Sequence, residues 1–477
     1  MTARDLPPII ILLLDSASTK RFSLYGYHRR TTPHLEEIAR ETAVYRHCFS
    51  TAPWTVPSHV SLFTGLYPHE HRCNDVFVGM REDLLSLPEV LKEVGYRTFG
   101  VSSNRLVSRT LGFNRAFGEF YEMGTLFQDP RYLEARKLYI QAKPHLKGDW
   151  EKIKFSLKYI LKSRDFAFPL KKTIDKFYRK HLANFAASTA FMSKRSMRLA
   201  KRLVQQGLAD GGPFFLFINL METHGTFKAP YPFNRQFQKI DSTVKKRLSA
   251  PGGESHLYEE NPDLRRERAE FYGLCLDQEI LFTDSLIGDF YQFLRQQNLL
   301  DRVLLIITSD HGEGMGEHGL FGHSFGVYNE LVHIPLVVKF PRDYGLTGEV
   351  TRLAQLNDLF ATICQMTDVP WPTPFSSHSL LEDTRDFALS ALLDNRRGME
   401  YLTRRFTEFK VFSSMLPGHA WVSSDLWKLI RWQDGARELY DLNRDPGEQH
   451  NLMAAPQHAA KAAAMESRMD DYLADGS

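Results

Sequence analysis

The chain is organised around the stretch STAPWTVPSHVSLFTGLYPHEH at residues 50–71. Thr55 stands two residues before Pro57 and ahead of the apolar run Val60 to Phe63. This pattern predicts a helix that begins at Thr55 and holds the proline in its first turn. Such a helix start would direct unpaired N–H groups and the positive end of the helix dipole at an anion attacked by Thr55. The same pattern fits an ordinary N-cap, so the stretch alone leaves both roles open.

Apolar runs and helical patterns alternate along the chain. Buried strands are predicted at residues 8–14, 96–101, 213–220, 302–309 and 334–340, and helices at 33–41, 84–94 and 271–296. Runs without polar alternation are typical of strands covered on both faces. The alternation therefore predicts an α/β fold with a doubly wound, mostly parallel sheet flanked by helices.

Two domains are expected from the composition of the second half. Pro370, Pro372 and Pro374 mark a boundary. Beyond it, Lys410 to Ser413 and Trp427 to Trp432 have the pattern of antiparallel strands. We therefore expect a catalytic domain at residues 1–370 and a smaller α+β subdomain with an antiparallel sheet at 371–477.

Candidate ligands follow the predicted strands. Asp15 ends the first strand, and Asp310 and His311 end the fourth, ahead of a glycine-rich segment that reaches His323. Ligands of open α/β sheets bind at the carboxyl ends of the strands, and a carboxylate with an imidazole suits one divalent ion. Asp15 alone could instead cap the next turn.

Two further polar residues follow strands, and each has two interpretations. Asn104 could donate a hydrogen bond to a bound anion or serve as a turn residue. His224 could hold an anion or form a structural hydrogen bond.

Composition narrows the class of protein. The chain has 477 residues, of which 43% are hydrophobic and 25% charged, with a net charge of +3 that is too small to indicate a polyanionic partner. The apolar run Leu6 to Leu14 is too short for a membrane span and lacks a small-residue cleavage site. Four cysteines without a C-x-x-C pair predict reduced thiols. A cytoplasmic protein is expected.

A basic insertion interrupts the α/β pattern at about residues 125–206. Between residues 131 and 202 it carries about twenty Lys or Arg against about five Asp or Glu, interleaved with aromatic residues. Contact with an anionic surface, a lid over the site and a contact within a homo-oligomer all fit this composition. No nucleic-acid-binding motif accompanies it.

Several motifs resemble those of sulfatases in the alkaline phosphatase superfamily, over nearly the whole chain. They are Thr64-Gly-x-x-Pro-x-x-His71, the Tyr25-Gly26 and Thr32-Pro33 pairs, SDHGEGMGEHG at 309–319 and ELYDLNRDPGEQHNL at 438–452. The resemblance implies the alkaline phosphatase/sulfatase-like fold and a metal-dependent hydrolase of anionic esters.

Two departures from the sulfatase pattern alter the expected chemistry. Thr55 stands where sulfatases carry the residue that is oxidised to formylglycine, and His59 stands where they carry arginine. The segment is more similar to that of phosphodiesterases with a threonine nucleophile. No formylglycine is therefore expected.

Resemblance to phosphoethanolamine and phosphoglycerol transferases implies the roles of the site residues. Asp15, Thr55, Asp310 and His311 would bind one divalent metal, with Zn or Mn favoured over Mg or Ca and room for a second ion. Thr55, His59, His224 and His323 would be catalytic, the histidines as anion holders or as proton donor to the leaving oxygen. Asn104 and Ser58 would contact the substrate.

The function predicted from the sequence is metal-dependent hydrolysis of phosphate diesters or monoesters through a covalent phospho-threonine. Two alternatives use the same threonine, a sulfate-ester hydrolase and a phosphotransferase. A third is a catalytically silent binding protein.

Overall fold

The computed structural model describes residues 6–75, 78–115, 117–124, 189–225, 229–237, 262–323, 325–369, 376–383, 385–396, 398–400 and 411–475, together with positions 171 and 248. Strands are β1 (Ile9–Leu14), β2 (Ala43–Phe49), β3 (Arg97–Ser102), β4 (Glu119–Glu122), β5 (Phe214–Leu220), β6 (Leu304–Ser309), β7 (Gly314–Met315), β8 (Phe321–Gly322), β9 (His333–Lys339), β10 (Gly348–Gln355), β11 (Phe387–Leu392), β12 (Gly418–Ser423), β13 (Trp427–Trp432) and β14 (Arg437–Asp441).

Helices flank these strands. They are α1 (Pro33–Ile38), α2 (Thr55–Thr64), α3 (Pro68–His71), α4 (Leu87–Glu93), α5 (Thr189–Ala209), α6 (Pro262–Gln296), α7 (Asn329–Val332), α8 (Asp358–Met366) and α9 (Ala459–Asp475).

The main sheet has the order β10-β2-β9-β6-β1-β5-β3-β4. β1 pairs in parallel with β5 and β6, β3 pairs in parallel with β4 and β5, and β9 runs antiparallel to both of its neighbours. The predicted α/β fold with a mostly parallel sheet is therefore confirmed.

The sheet is buried on both faces, as its apolar runs predict. Ile9, Ile11 and Leu13 of β1 pack into one hydrophobic core, while Ile10, Leu12 and Leu14 pack into a second core on the opposite face. Because successive strand residues point to opposite faces, an uninterrupted apolar run requires helices on both sides of the sheet.

Three strands of the main sheet were not predicted. β2 includes Arg46 and His47, β4 has four residues, and β10 lies at an edge and begins with exposed polar residues. Such short or polar strands lack the continuous apolar run on which the prediction depends.

The C-terminal part contains the antiparallel sheet β11-β12-β13-β14. Helix α9 covers one face through Ala462, Met465 and Met469, which pack with Leu389 and Trp421. The strand predicted at Trp427 to Trp432 is confirmed by β13.

Two further predictions concern the C-terminal part, a strand and a domain boundary. The strand predicted at Lys410 to Ser413 is wrong in its described residues, because Val411 and Phe412 lie outside any strand and Ser413–Met415 form a 3-10 turn. Residues 370–375, where the domain boundary was predicted, lie outside the described residues, as does most of the basic insertion.

All four cysteines are buried thiols. Among the described residues, no helix is both long and apolar enough to cross a bilayer.

Candidate active site

The site lies where β1 and β6 end and α2 begins. Asp15 follows β1, Asp310 follows β6, and Thr55 is the first residue of α2, with Trp54 as its N-cap. β1 and β6 are adjacent parallel strands, so the two aspartates emerge at the same sheet edge. All three side chains are buried. In the sequence, Thr55 lies 40 positions after Asp15, and Asp310 lies 255 positions after Thr55 and 295 after Asp15. The structure brings these three residues together.

Two carboxylate oxygens at this edge lack hydrogen-bond donors among the described residues. They are Oδ1 of Asp15 and Oδ2 of Asp310, and both are buried. Ligand atoms of Asp15, His59 and Asp310 all lie within 4.8 Å of one another. Buried anionic oxygens without donors are costly unless a cation compensates them, so this group fits a divalent ion.

The Asp310 carboxylate is held by backbone donors on its other oxygen. Oδ1 accepts from the N–H of Ser16 at 3.1 Å and from that of His311 at 2.9 Å. Burial alone would raise the pKa of Asp310, but the positive charge that His311 and His59 carry when protonated lowers it well below its ordinary value. The carboxylate is therefore ionised and oriented with Oδ2 toward the candidate cation position.

His311 connects the carboxylates to the nucleophile candidate. Its Nδ1 lies 2.9 Å from the carbonyl oxygen of Gly312, which can only accept, so we assign the proton to Nδ1. Its Nε2 lies 3.3 Å from Thr55 Oγ1 and 3.2 Å from Asp310 Oδ2. An imidazole nitrogen with its lone pair directed at this group suits the metal-ligand role that the sequence predicts for His311.

Gly312 allows the chain to pass close to a neighbouring segment after His311. A Cβ atom at this position would lie 2.0 Å from the carbonyl oxygen of Glu330. Because that neighbour is backbone and cannot swing away, a side chain at Gly312 would displace the metal-ligand candidates before it.

His59 lies close to the carboxylate of Asp310. Its Nδ1 is 2.9 Å from the carbonyl oxygen of Thr55 and 3.4 Å from Asp310 Oδ2. Its Nε2 is buried and has no hydrogen-bond partner among the described residues. One turn after Thr55 on the same helix, His59 therefore forms part of the candidate cation site.

Asn104 contacts both Asp15 and Thr55. Its Nδ2 donates to Asp15 Oδ2 at 2.6 Å and lies 3.5 Å from Thr55 Oγ1. Asn219 donates to the same oxygen of Asp15 at 3.1 Å and accepts from the Asn104 backbone N–H at 3.1 Å. Asn104 is thus placed to orient the nucleophile candidate and a carboxylate, and its role as a donor to substrate stays a prediction.

Ser58 is turned away from this group. Its hydroxyl donates to the carbonyl oxygens of Trp54 at 2.8 Å and Thr55 at 3.1 Å, within its own helix. These bonds satisfy backbone acceptors in the first turn of α2. The structure therefore gives Ser58 a structural position and no contact that supports the predicted role in substrate binding.

Three histidine rings line up at the edge of the site. The ring centroid of His323 lies 4.7 Å from that of His311 and 4.9 Å from that of His224. Nδ1 of His323 lies 3.0 Å from Oε2 of Glu313. Burial alone would raise the pKa of Glu313, but His323 and its neighbours hold it below the ordinary value. His323, predicted as catalytic, is thus adjacent to the metal-ligand candidate His311, and His224, also predicted as catalytic, is adjacent to His323.

Sequence reasoning missed Asn219, Glu222 and Glu313. Glu222 follows β5, the strand next to β1, and is buried. Burial raises the pKa of Glu222 to about 7, and the charge of Asp15 adds to the shift. Glu222 follows a buried strand, and the same signal identified Asp15. Asn219 lies inside its strand, and Glu313 lies inside a motif in which no spacing distinguishes it from its neighbours.

A comparison of the chain with models of protein families identifies the family to which it belongs. The model described as "Sulfatase" matches residues 7–369. The chain belongs to the sulfatase family. In this sulfatase-family chain, residues 316–475 also match the model described as "N-sulphoglucosamine sulphohydrolase, C-terminal".

Relatives of this sulfatase-family chain are distant in sequence and cover nearly all of it. The uncharacterized sulfatase YidJ of Escherichia coli is 21% identical over 98% of this chain and 87% of its own length. Arylsulfatase K of Bos taurus is 22% identical over 98% and 81%. The multifunctional alkaline phosphatase superfamily protein PehA of Trinickia caryophylli is 24% identical over 90% and 87%.

Solved structures share the fold. The phosphonate monoester hydrolase of Agrobacterium radiobacter superposes with a TM-score of 0.67 at 18% identity, covering 99% of this chain and 96% of that one. A putative sulfatase of Bacteroides thetaiotaomicron gives 0.66 at 15% identity, covering 99% and 93%. At these identities the likeness supports the architecture alone, and the chemistry must be argued from the site.

Proposed function

We propose that this sulfatase-family enzyme hydrolyses phosphate esters through a covalent intermediate on Thr55. The observation that carries the proposal is the position of the Thr55 hydroxyl, 3.3 Å from His311 Nε2 and at the N-terminus of α2, beside the two buried carboxylates. A side chain placed there can attack an anion that the helix N-terminus and a cation hold together.

A threonine at this position argues for phosphoryl chemistry. Sulfatases use a hydrated aldehyde, whose second hydroxyl expels sulfate from the covalent intermediate, and threonine cannot form that aldehyde. A phosphoryl group on Thr55 needs no second hydroxyl, because water can attack phosphorus directly. The substitution of His59 for the usual arginine is consistent with this change of chemistry.

Asp15, Asp310, His311 and Thr55 would hold one divalent ion, with His59 beside them. Their oxygen and nitrogen donors suit Zn or Mn. When bound, the ion would supply positive charge that stabilises an alkoxide and the negative charge of the transferred group.

The first step of the proposed reaction is a displacement at phosphorus. A bond forms between Thr55 Oγ1 and phosphorus while the bond from phosphorus to the alcohol oxygen breaks. The proton lost by the Thr55 hydroxyl is matched by the proton that the leaving oxygen gains. Water then adds its oxygen to phosphorus and returns a proton to Thr55, which completes hydrolysis. His323, which lies next to His311, and His224, which lies next to His323, are placed to donate to the leaving oxygen or to hold the anion.

Sulfate-ester hydrolysis is the second candidate. The names of the matched family models and of several relatives favour it. It would require Thr55 to act on sulfur directly.

Three parallel assays separate the candidates. Purified protein loaded with Zn or Mn is tested on an aryl sulfate, a phosphate monoester and a phosphate diester, with Thr55→Ala as the matched variant. Phosphoester turnover that disappears in Thr55→Ala while metal still binds, together with phosphate found on Thr55 by mass spectrometry after an acid quench, supports the proposal. Turnover of the sulfate alone, or full activity of Thr55→Ala, overturns it.

A further inference from the structure

A short hairpin places Glu313 opposite His323. β7 and β8 pair antiparallel, with Gly314 opposite Gly322. Glu313 immediately precedes β7, and His323 immediately follows β8. Residues that flank such a pair are cross-strand neighbours, so the backbone itself holds the two side chains together.

The contact between them is directional and buried. Oε2 of Glu313 lies 3.0 Å from Nδ1 of His323, and the side chains are 3% and 17% exposed. A carboxylate accepts at Nδ1, so the His323 ring carries a proton on that nitrogen. Proton exchange with a substrate then falls to Nε2, on the other side of the ring.

The ring so oriented stands beside the reacting groups. Its ring centroid lies 4.7 Å from that of His311 and 4.9 Å from that of His224. Nε2 of His311 is in turn 3.3 Å from Thr55 Oγ1. The geometry points to Glu313 as a positioning residue, which fixes the orientation and tautomer of His323 so that Nε2 protonates the leaving alcohol oxygen. This inference rests on the proposed function. For this step the His323 ring carries a proton on each nitrogen. The Nε2 proton passes to the leaving oxygen as its bond to phosphorus breaks, which leaves the ring as the Nδ1–H tautomer bound to Glu313, and Nε2 takes a proton back from the attacking water in the hydrolysis step.

A second glutamate–histidine pair in the same region provides a matched control. Glu330 Oε1 lies 2.7 Å from Nδ1 of His318, whose Nε2 lies 2.9 Å from the Glu448 carbonyl oxygen and whose ring stacks on Tyr328 at 3.7 Å. Both nitrogens of His318 are thus bound within the protein. Glu330→Gln therefore removes a comparable buried carboxylate without changing His323.

The kinetic test compares leaving groups. Metal-loaded protein is assayed on a 4-nitrophenyl and a phenyl phosphodiester that share the same phosphoryl group. Protonation matters more for the poorer leaving group, and general acid catalysis typically contributes about 10²–10⁴-fold. We expect Glu313→Ala to lower kcat at least tenfold more for the phenyl ester than for the 4-nitrophenyl ester, with little change in KM. Glu313→Gln should be intermediate, because its amide oxygen still accepts from Nδ1–H.

A second measurement does not depend on turnover. In protein with ¹⁵N-labelled histidines, the His323 signal is assigned by its loss in His323→Asn. For the neutral ring we expect the Nδ1–H tautomer in the unsubstituted protein and in Glu330→Gln, and a changed tautomer in Glu313→Ala. Equal kinetic losses for both esters, or an unchanged tautomer, overturn the positioning role. If the unsubstituted protein cleaves neither diester, the phosphodiester form of the proposed function fails, and the tautomer alone then decides the role of Glu313.

Discussion

Asn104 donates its side-chain N–H to the carboxylate of Asp15 across 2.6 Å. Both residues are buried, and the bond leaves Oδ1 of Asp15 without a donor among the described residues. A polar residue that follows one strand thus orients the carboxylate that follows another. This arrangement is typical of groups that hold a metal ligand in place.

Asn104→Ala should therefore weaken metal binding. Loss of a hydrogen bond to a ligating carboxylate typically reduces metal affinity about 10–100-fold. Titration of the metal-free protein with Zn or Mn against a competing chelator measures the change. Asn74→Ala is the control, because its amide donates to the Pro68 carbonyl at 3.0 Å, away from the site. Unchanged metal affinity with a raised KM would instead support the substrate contact predicted from the sequence.

The metal-ligand candidates could be predicted because topology alone brings them together. Asp15 and Asp310 follow buried parallel strands, and any fold of this class collects strand ends at one edge. Partners such as Glu313 for His323 could not be predicted. They depend on which way a side chain turns and on the register of a two-residue hairpin, neither of which has a sequence period. Ser58 shows the same limit, since its motif position is compatible with a hydroxyl facing either the site or the helix.

Ser58→Ala tests the orientation of that hydroxyl. Because, among the described residues, the side chain donates to the Trp54 and Thr55 carbonyls alone, its loss should cost about 1 kcal/mol of unfolding free energy and leave KM unchanged. Thr64→Val is the comparison variant, since its hydroxyl donates to the Val60 carbonyl at 2.7 Å in the same helix and accepts a longer bond of 3.4 Å from the Leu66 N–H. Urea unfolding and ester kinetics measure the two effects. A tenfold rise in KM confined to Ser58→Ala would contradict the structural position.

Lys428→Met should destabilise the contact between the C-terminal sheet and helix α7. Lys428 Nζ lies 2.6 Å from Glu448 Oε1 and donates to Asn329 at 3.0 Å, and both members of the ion pair are fully buried. Breaking a buried pair leaves one charge uncompensated and typically costs about 3–5 kcal/mol. We expect a loss of this size in the urea-derived unfolding free energy.

The control for that loss is an exposed pair. Lys461 lies 2.6 Å from Asp425, and Lys461→Met should cost less than about 1 kcal/mol because water screens the charges. The double variant Lys428→Met/Glu448→Gln should regain much of the lost stability, since no buried charge remains. Equal costs for Lys428→Met and Lys461→Met would show that burial of the first pair contributes nothing.

His71 should make the helix that carries Thr55 sensitive to acid. Its Nδ1 accepts from the Cys73 N–H at 3.0 Å, and its Nε2 lies 3.2 Å from the carbonyl oxygen of Pro57, in the first turn of α2. Burial lowers the pKa of His71 from 6.5 to about 3. A proton on Nδ1 would face the Cys73 N–H, so the folded protein resists protonation there.

The free energy of unfolding depends on pH because the folded and unfolded forms bind a proton at His71 at different pH values. The unfolded chain binds a proton at His71 near pH 6.5, whereas the folded protein does so only near pH 3. The contribution of neutral His71 to stability is therefore fully present above pH 6.5 and lost as the pH falls toward 3, at about 1.4 kcal/mol per pH unit. Urea unfolding at pH 7, 6, 5 and 4 should show this slope as the difference between the unsubstituted protein and His71→Gln, which cannot titrate. Parallel pH profiles for the unsubstituted protein and His71→Gln would mean that His71 is protonated equally in the folded and unfolded states, and that its bond to Pro57 does not protect the helix.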